Sequence, residues 1–180
     1  MPSERNRFTV WTIGHSTRTA QEFLGLLAHY CIQAIVDVRS LPGSRKYPQY
    51  DQEALSLTLA EHGIEYHWLK SLGGRRRALR DSPNTAWRNA SFRGYADYMA
   101  TSEFARGFSE LKQLATHARC ALMCAEAVWW RCHRSMIADA LCVEGVKVFH
   151  ILDAGHSPLH PMTSPARILN GQLSYTLPAS

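Results

Sequence analysis

Residues 120–152 read CALMCAEAVWWRCHRSMIADALCVEGVKVFHIL. The runs CALMCA (120–125) and VKVFHIL (146–152) are almost continuously apolar. Between them, residues 132–144 place Ile137, Leu141 and Val143 on one helical face, and Gly145 ends the helix as a C′ residue does. A strand, a helix and a second strand of this kind form a βαβ unit. Strands apolar on both sides belong to a parallel sheet covered by helices on both faces. Working backwards, FTVWTI (8–13), AIVDV (34–38) and IEYHWL (64–69) are three further strands. Thr17 or Thr19 caps a helix to about His29 with Phe23, Leu26, Leu27 and Tyr30 on one face; Asp51 caps another to about His62, stopped by Gly63. Residues 70–90, with Gly73-Gly74, RRR at 75–77 and Pro83, predict a long loop, followed by helices over about 92–100 and 103–117. The expected fold is α/β: a single three-layer domain over 1–180, with a mainly parallel sheet of about five strands and helices on both faces. Its core spans about 8–152. The tail, 153–180, carries Pro158, Pro161, Pro165 and Pro178 and is expected to wrap the surface with one short strand near Gln172–Thr176.

Composition narrows the class. A chain of 180 residues, 46% hydrophobic and 19% charged, suits one globular domain and excludes intrinsic disorder. No apolar run reaches the roughly 18 residues of a membrane span, so no membrane partner is expected. The start, MPSERNRFTVWTI, runs into a strand without an apolar h-region and does not read as a signal peptide. Five cysteines, at 31, 120, 124, 132 and 142, are an odd number; without an export signal they are expected to be free thiols in a reducing cytoplasm. The net charge of +5 is local: residues 39–94 carry ten Lys/Arg against five Asp/Glu, and the rest of the chain balances. Sixteen of the twenty basic residues are Arg, whose planar fork pairs bidentately with phosphate or carboxylate. The partner this implies is an anionic small molecule or a nucleic acid. The oligomeric state stays open.

Ligands of open α/β sheets bind beyond the carboxyl ends of the strands, where strand order reverses. Gly14, His15 and Ser16 follow the first strand, and Asp37 and Arg39 end the second. Cys124, Glu126, Arg131, Cys132, His133 and Arg134 follow the fourth. The last group is the richest. Its turn into a helix can receive an anion, and the same field with a neighbouring Arg favours a thiolate. Cys124 and Arg131 flank six residues with no glycine, which fits neither a cysteine phosphatase loop nor a rhodanese-like sulfur cradle. Cys120, Leu122 and Cys124 share one strand face, so Cys124 also reads as core. Asp37, if buried, requires a cation such as Arg39 or Arg134.

The leading expectation is an enzyme acting on a nucleotide, nucleic-acid or phosphorylated substrate, without cofactor and with no metal ligands assigned. Glu126 is the acid/base candidate, with its pKa set by Cys124 and His133; Cys124 is a candidate nucleophile and His15 a further catalytic candidate. Gly14, Ser16, Asp37, Arg39, Arg131, His133 and Arg134 form the substrate-binding set. One alternative is a non-catalytic nucleic-acid-binding module built on segment 39–94. It would use Arg75, Arg76, Arg77, Arg80 and Arg88 on phosphates, with Tyr47, Tyr50, Trp68, Trp87, Phe92 and Tyr95 as stacking side chains. Another is a metal-binding protein taking Cys124, Cys132 and His133, with His15 or His156 as a further ligand.

TIGHS at 12–16, DVR at 37–39 with Pro42 and Ser44, LGG at 72–74, FRGYADYM at 92–99, MCAE at 123–126 and CHR at 132–134 together resemble the bacterial family described as domain of unknown function 488. The resemblance covers about residues 9–160. It implies a compact single-domain α/β protein with its site at these strand ends, and names no reaction. One departure is visible: AVWWR, between Glu126 and Cys132, carries Trp129 and Trp130 where the family more usually has short polar residues and Pro, which bears on access to the site.

Overall fold

Period-two alternation with both faces apolar builds a sheet that is buried on both sides. A computed structural model describes residues 8–178; the ends of the 1–180 expectation, including most of the start read above, lie outside these residues. Five parallel strands make the main sheet: β1 (Thr9–Gly14), β2 (Ala34–Asp37), β3 (Glu65–Trp68), β4 (Cys120–Cys124) and β5 (Lys147–Ile151), in the order β3-β2-β4-β1-β5. On one face, Trp11, Ile13, Ile35, Ala121, Met123 and Ile151 pack against Phe23 and Leu27 of α1 (Ala20–His29) and Leu55 and Leu59 of α2 (Gln52–Glu61). On the other, Val10, Val36, Leu122 and Val148 meet α3 (Ala90–Tyr98), α4 (Ser102–His117) and α5 (Arg134–Val143). The α/β expectation is met: one parallel five-stranded sheet lies between two helical layers. No helix of the described residues is long and apolar enough to cross a membrane.

Local signals explain the boundaries. Thr19, rather than Thr17, accepts the amide of Glu22 and starts α1. Gly63 and Gly145 take positive φ just past α2 and α5, as expected. The helix expected from residue 92 begins at Ala90, because Asn89 accepts the amides of Ser91 and Phe92 and caps it earlier. The tail carries two short strands instead of one: β6 (Arg167–Leu169) and β7 (Gln172–Ser174) form an antiparallel hairpin around Asn170-Gly171, both at positive φ. That dipeptide is itself a hairpin signal.

The strand order fixes where a crevice opens. The chain leaves β1 and β2 towards α1 and α2 on one face, and leaves β4 towards α5 on the other. Because β4 lies between β2 and β1, its carboxyl end is flanked on both sides by connections departing to the opposite layer. These are the reversal points at which α/β sheets hold ligands.

Candidate functional site

Beyond β4 the chain continues to pair with β1: the amides of His15 and Ser16 donate to the carbonyls of Cys124 and Ala125. This brings the Glu126 backbone directly across Gly14. A Cβ on Gly14 would lie 1.8 Å from the Glu126 carbonyl oxygen, so only glycine fits unless the site loop moves. Gly14→Ala is therefore expected to cost about 1–3 kcal/mol, read as a lowered urea midpoint. A variant as stable as the parent would refute this reading of the crossing.

Three adjoining hollows form one cleft at this edge, and Arg75 and Ala125 line all of them. The largest, about 350 Å³, is bordered by His15, Ser16, Arg39 and Glu126. Another, about 280 Å³, is bordered by Cys124, Cys132, His133, Glu126 and Arg131. Residues expected from the first, second and fourth strand ends thus meet around one opening, with Arg134 directly beneath.

Several of these groups are committed to internal partners. Asp37, fully buried, accepts Arg39 Nε (3.0 Å) and Nη2 (2.8 Å), the Arg39 amide (3.0 Å) and the Tyr66 hydroxyl (2.5 Å). Arg39 Nη1 donates to the Tyr50 carbonyl (2.8 Å) and lies 3.5 Å from His15 Nε2. Asp37 and most of Arg39 therefore form a structural pair, leaving the second Nη2 hydrogen of Arg39 for a ligand. His15 stacks on Tyr50 at 4.1 Å, and its Nδ1–H donates to the Ser16 carbonyl. Burial, with Arg39 nearby, lowers its pKa to about 4. The ring is neutral at neutral pH, with the Nε2 lone pair turned towards Arg39.

Arg134 is 1% exposed and has no carboxylate partner among the described residues. Its Nη2 donates to the Glu126 carbonyl (2.7 Å), and its Nε has no partner. It serves as an internal cation that holds the site loop. Glu126 itself is exposed, and its carboxylate makes no hydrogen bond or ion pair with Cys124 or His133 among the described residues. In place of the expected coupling to those two side chains stands an exposed residue on the wall of the hollow that Arg75 and Arg131 also line.

The two site sulfurs differ sharply. The Cys124 pKa is pushed up to about 12, first because its thiol hydrogen-bonds Cys132, then by burial. For Cys132 burial is the largest influence and acts upward, but the Cys124 thiol and the Arg134 guanidinium and amide outweigh it and bring the pKa to about 7. Cys132, read in the sequence as a ligand in the metal-binding alternative, is thus the sulfur that the fold turns towards thiolate, while Cys124 is the donor. The visible signal was its place two residues before a buried Arg at a helix start. His133 Nε2–H donates to the Val38 carbonyl (2.9 Å), which leaves Nδ1 3.6 Å from Cys132 Sγ.

The remaining expectations separate. Of the Arg run, Arg75, Arg77 and Arg80 are exposed, whereas Arg76 stacks on Tyr98 at 3.6 Å and donates to the Gly73 carbonyl. The aromatic side chains counted as a stacking surface mostly face inward. Trp87 packs on Phe92 and Tyr175, Tyr50 and Tyr95 are buried, and Trp68 Nε1 donates to the Arg39 carbonyl. Trp129 stacks on His150 at 4.5 Å, away from the cleft, and Trp130 is exposed beside it. His156 is exposed and joins neither the cleft nor the sulfurs.

A second polar cluster, legible only in fragments, lies behind Trp129. Thr12 Oγ1 meets His150 Nδ1 (2.6 Å), and His150 Nε2 meets His160 Nδ1 (2.8 Å). His160 Nε2–H donates to Asp139 (2.8 Å), which also accepts the Thr163 amide and hydroxyl and the Tyr175 hydroxyl.

The family model for "Domain of unknown function DUF488" matches residues 19–141, and the chain belongs to that family. No curated protein and no solved structure matches it.

Proposed function

We propose that this member of the domain of unknown function 488 family is an enzyme that acts on an anionic substrate, a nucleotide, nucleic-acid segment or other phosphorylated compound, in the cleft at the carboxyl ends of β1, β2 and β4. The observation that carries the reading is the charge of the cleft. Arg75 and Arg131 stand exposed on its walls with no carboxylate partner among the described residues, and Arg134 lies buried below. Glu126 is the sole carboxylate of the described residues on the lining. Such a balance favours a bound phosphate, held by charge-assisted hydrogen bonds from Arg75, Arg131 and the remaining Arg39 hydrogen. Glu126 moves the proton: it is exposed to the cleft and adjacent to the anion-binding cations. Neutral His15 accepts a hydrogen bond through Nε2. Cys124, a hydrogen-bond donor with a raised pKa, is not the nucleophile in this reading.

Titration with inorganic phosphate, nucleoside mono- and triphosphates and short single-stranded oligonucleotides at low salt tests the reading. At least one of these probes is expected to bind. Arg75→Ala and Arg131→Ala are each expected to weaken that binding about 10-fold or more, and to lower the slope of log affinity against log salt. With a substrate in hand, Glu126→Gln is expected to retain binding and lose roughly 100-fold or more in turnover. Absence of binding by every probe would overturn the proposal, and unchanged turnover would remove Glu126 from its role.

A further inference from the structure

The geometry points to a metal site at the inner end of the cleft: Cys124 Sγ, Cys132 Sγ and His133 Nδ1 bind one borderline-soft divalent ion, zinc in the first place, with the fourth coordination position open to the cleft. The three atoms lie within 4.8 Å of one another, although the residues come from a strand end and a helix start. Tetrahedral zinc, with bonds of about 2.3 Å to sulfur and about 2.0–2.1 Å to nitrogen, puts sulfur and nitrogen about 3.6 Å apart. Cys132 Sγ and His133 Nδ1 are separated by 3.6 Å. The two remaining separations are at most 4.8 Å, about 1 Å or less beyond what tetrahedral zinc sets.

The surroundings are those of a ligand set. His133 is oriented by its Nε2–H bond to the Val38 carbonyl, the outer-shell contact that fixes a metal-bound imidazole and presents its other nitrogen. The Arg134 amide donates to Cys132 Sγ at 3.4 Å, as outer-shell amides do to ligating thiolates. Gly74 keeps the approach clear: a Cβ there would lie 2.8 Å from His133 Nδ1. His15 and His156, the further ligands considered from sequence, are elsewhere, and Phe92, Glu126 and Arg131 border the open side. Three protein ligands and a vacant fourth position are the pattern of reactive rather than structural zinc.

Charge gives the site its preference. Two thiolates and a dication sum to zero, and the buried guanidinium of Arg134, with its unpartnered Nε, leaves an excess of +1. The fourth ligand is therefore anionic, an oxygen of the substrate class proposed above. That last step rests on the proposed function, whereas the ion's binding does not.

The test is made on the full chain, purified without chelator, reduced, and dialysed against zinc. Elemental analysis is expected to give about one zinc per chain, and exchange for Co²⁺ to give sulfur-to-cobalt charge-transfer absorption with visible bands of tetrahedral strength. Cys124→Ser, Cys132→Ser and His133→Asn are each expected to lose the stoichiometric ion, and Cys31→Ser and Cys142→Ser to keep it. Circular dichroism identifies any variant that fails to fold, and the cobalt spectrum of the parent protein needs no variant. A reduced parent chain that stays metal-free, or an ion retained by all three ligand variants, overturns the site. Zinc bound at this site without any anionic probe binding would leave it standing and overturn the proposed function instead.

Discussion

Asp139→Ala is expected to destabilise the protein by about 3–5 kcal/mol, the range for removing one partner of a buried ionic hydrogen-bond cluster. The carboxylate is fully buried in α5 and accepts four hydrogen bonds, all from the segment after β5: His160 Nε2 at 2.8 Å, the Thr163 amide at 3.0 Å and hydroxyl at 2.5 Å, and the Tyr175 hydroxyl at 2.7 Å. Removing it strands the buried donors of His160 and Tyr175, each costing about 1–3 kcal/mol if nothing replaces the acceptor, and the two part-buried donors of Thr163, which water reaches more readily. It also releases His160 from His150, and so loosens the link through Thr12 to β1. The effect is directional. Residues 153–178 lose their anchor, whereas the sheet keeps both apolar faces. Urea denaturation is expected to show the loss in global stability, and limited proteolysis under native conditions to cut the tail first. A loss below about 1 kcal/mol, with an uncut tail, would mean that water takes the place of the carboxylate and that the cluster is not an anchor.

The contrast between this cluster and the cleft shows what a one-dimensional reading reaches. Strands and helices were legible because their signals are local: unbroken apolar runs, Thr19 as a cap, Gly63 and Gly145 as stops. The cleft was legible because one topological rule applies to every strand end, so His15, Arg39, Cys124 and His133 could be assembled before their distances were known. The commitments of those side chains were hidden. The carbonyl that orients His133 belongs to Val38, 95 positions away, and carbonyls carry no sequence signature. The pairing of Asp37 with Arg39, two positions apart, could be read. The Asp139 cluster joins β1, α5, β5 and the tail across as many as 138 positions, and its one local trace is a carboxylate on the buried stripe of α5. The mixture of Arg, Trp and Tyr over 39–94 resembled a stacking surface because composition is blind to direction. Tyr95 and Trp87 turn inward to fill the space beneath α3 and the tail and Arg39 is buried on Asp37, whereas Arg75, Arg77 and Arg80 stay outside.

Stability is expected to fall as the pH drops below about 6.5, before carboxylate protonation begins to contribute. Two buried histidines set this window. His15 has a folded pKa lowered to about 4 and His150 to about 2, both chiefly by burial. In the unfolded chain both return to about 6.5. At pH 5 the folded protein holds both rings neutral while the unfolded chain protonates them, so unfolding takes up close to two protons. Stability then decreases by up to about 2.7 kcal/mol per pH unit, two protons at about 1.4 each. Below pH 4 His15 titrates in the folded state as well, and the slope contributed by this pair halves. Above about pH 6.5 the unfolded chain is neutral at both positions and the contribution is complete. Urea midpoints measured from pH 7.5 to 4.5 read the slope directly, and replacing His15 with Asn is expected to reduce it by about one proton. The two rings occupy different places, His15 at the cleft on Tyr50 and His150 behind Trp129, so the loss of one leaves the other's share intact. Stability constant between pH 7 and 5 would mean that water or a shifted partner receives the charge of both rings, and that neither is held as dry as its contacts imply.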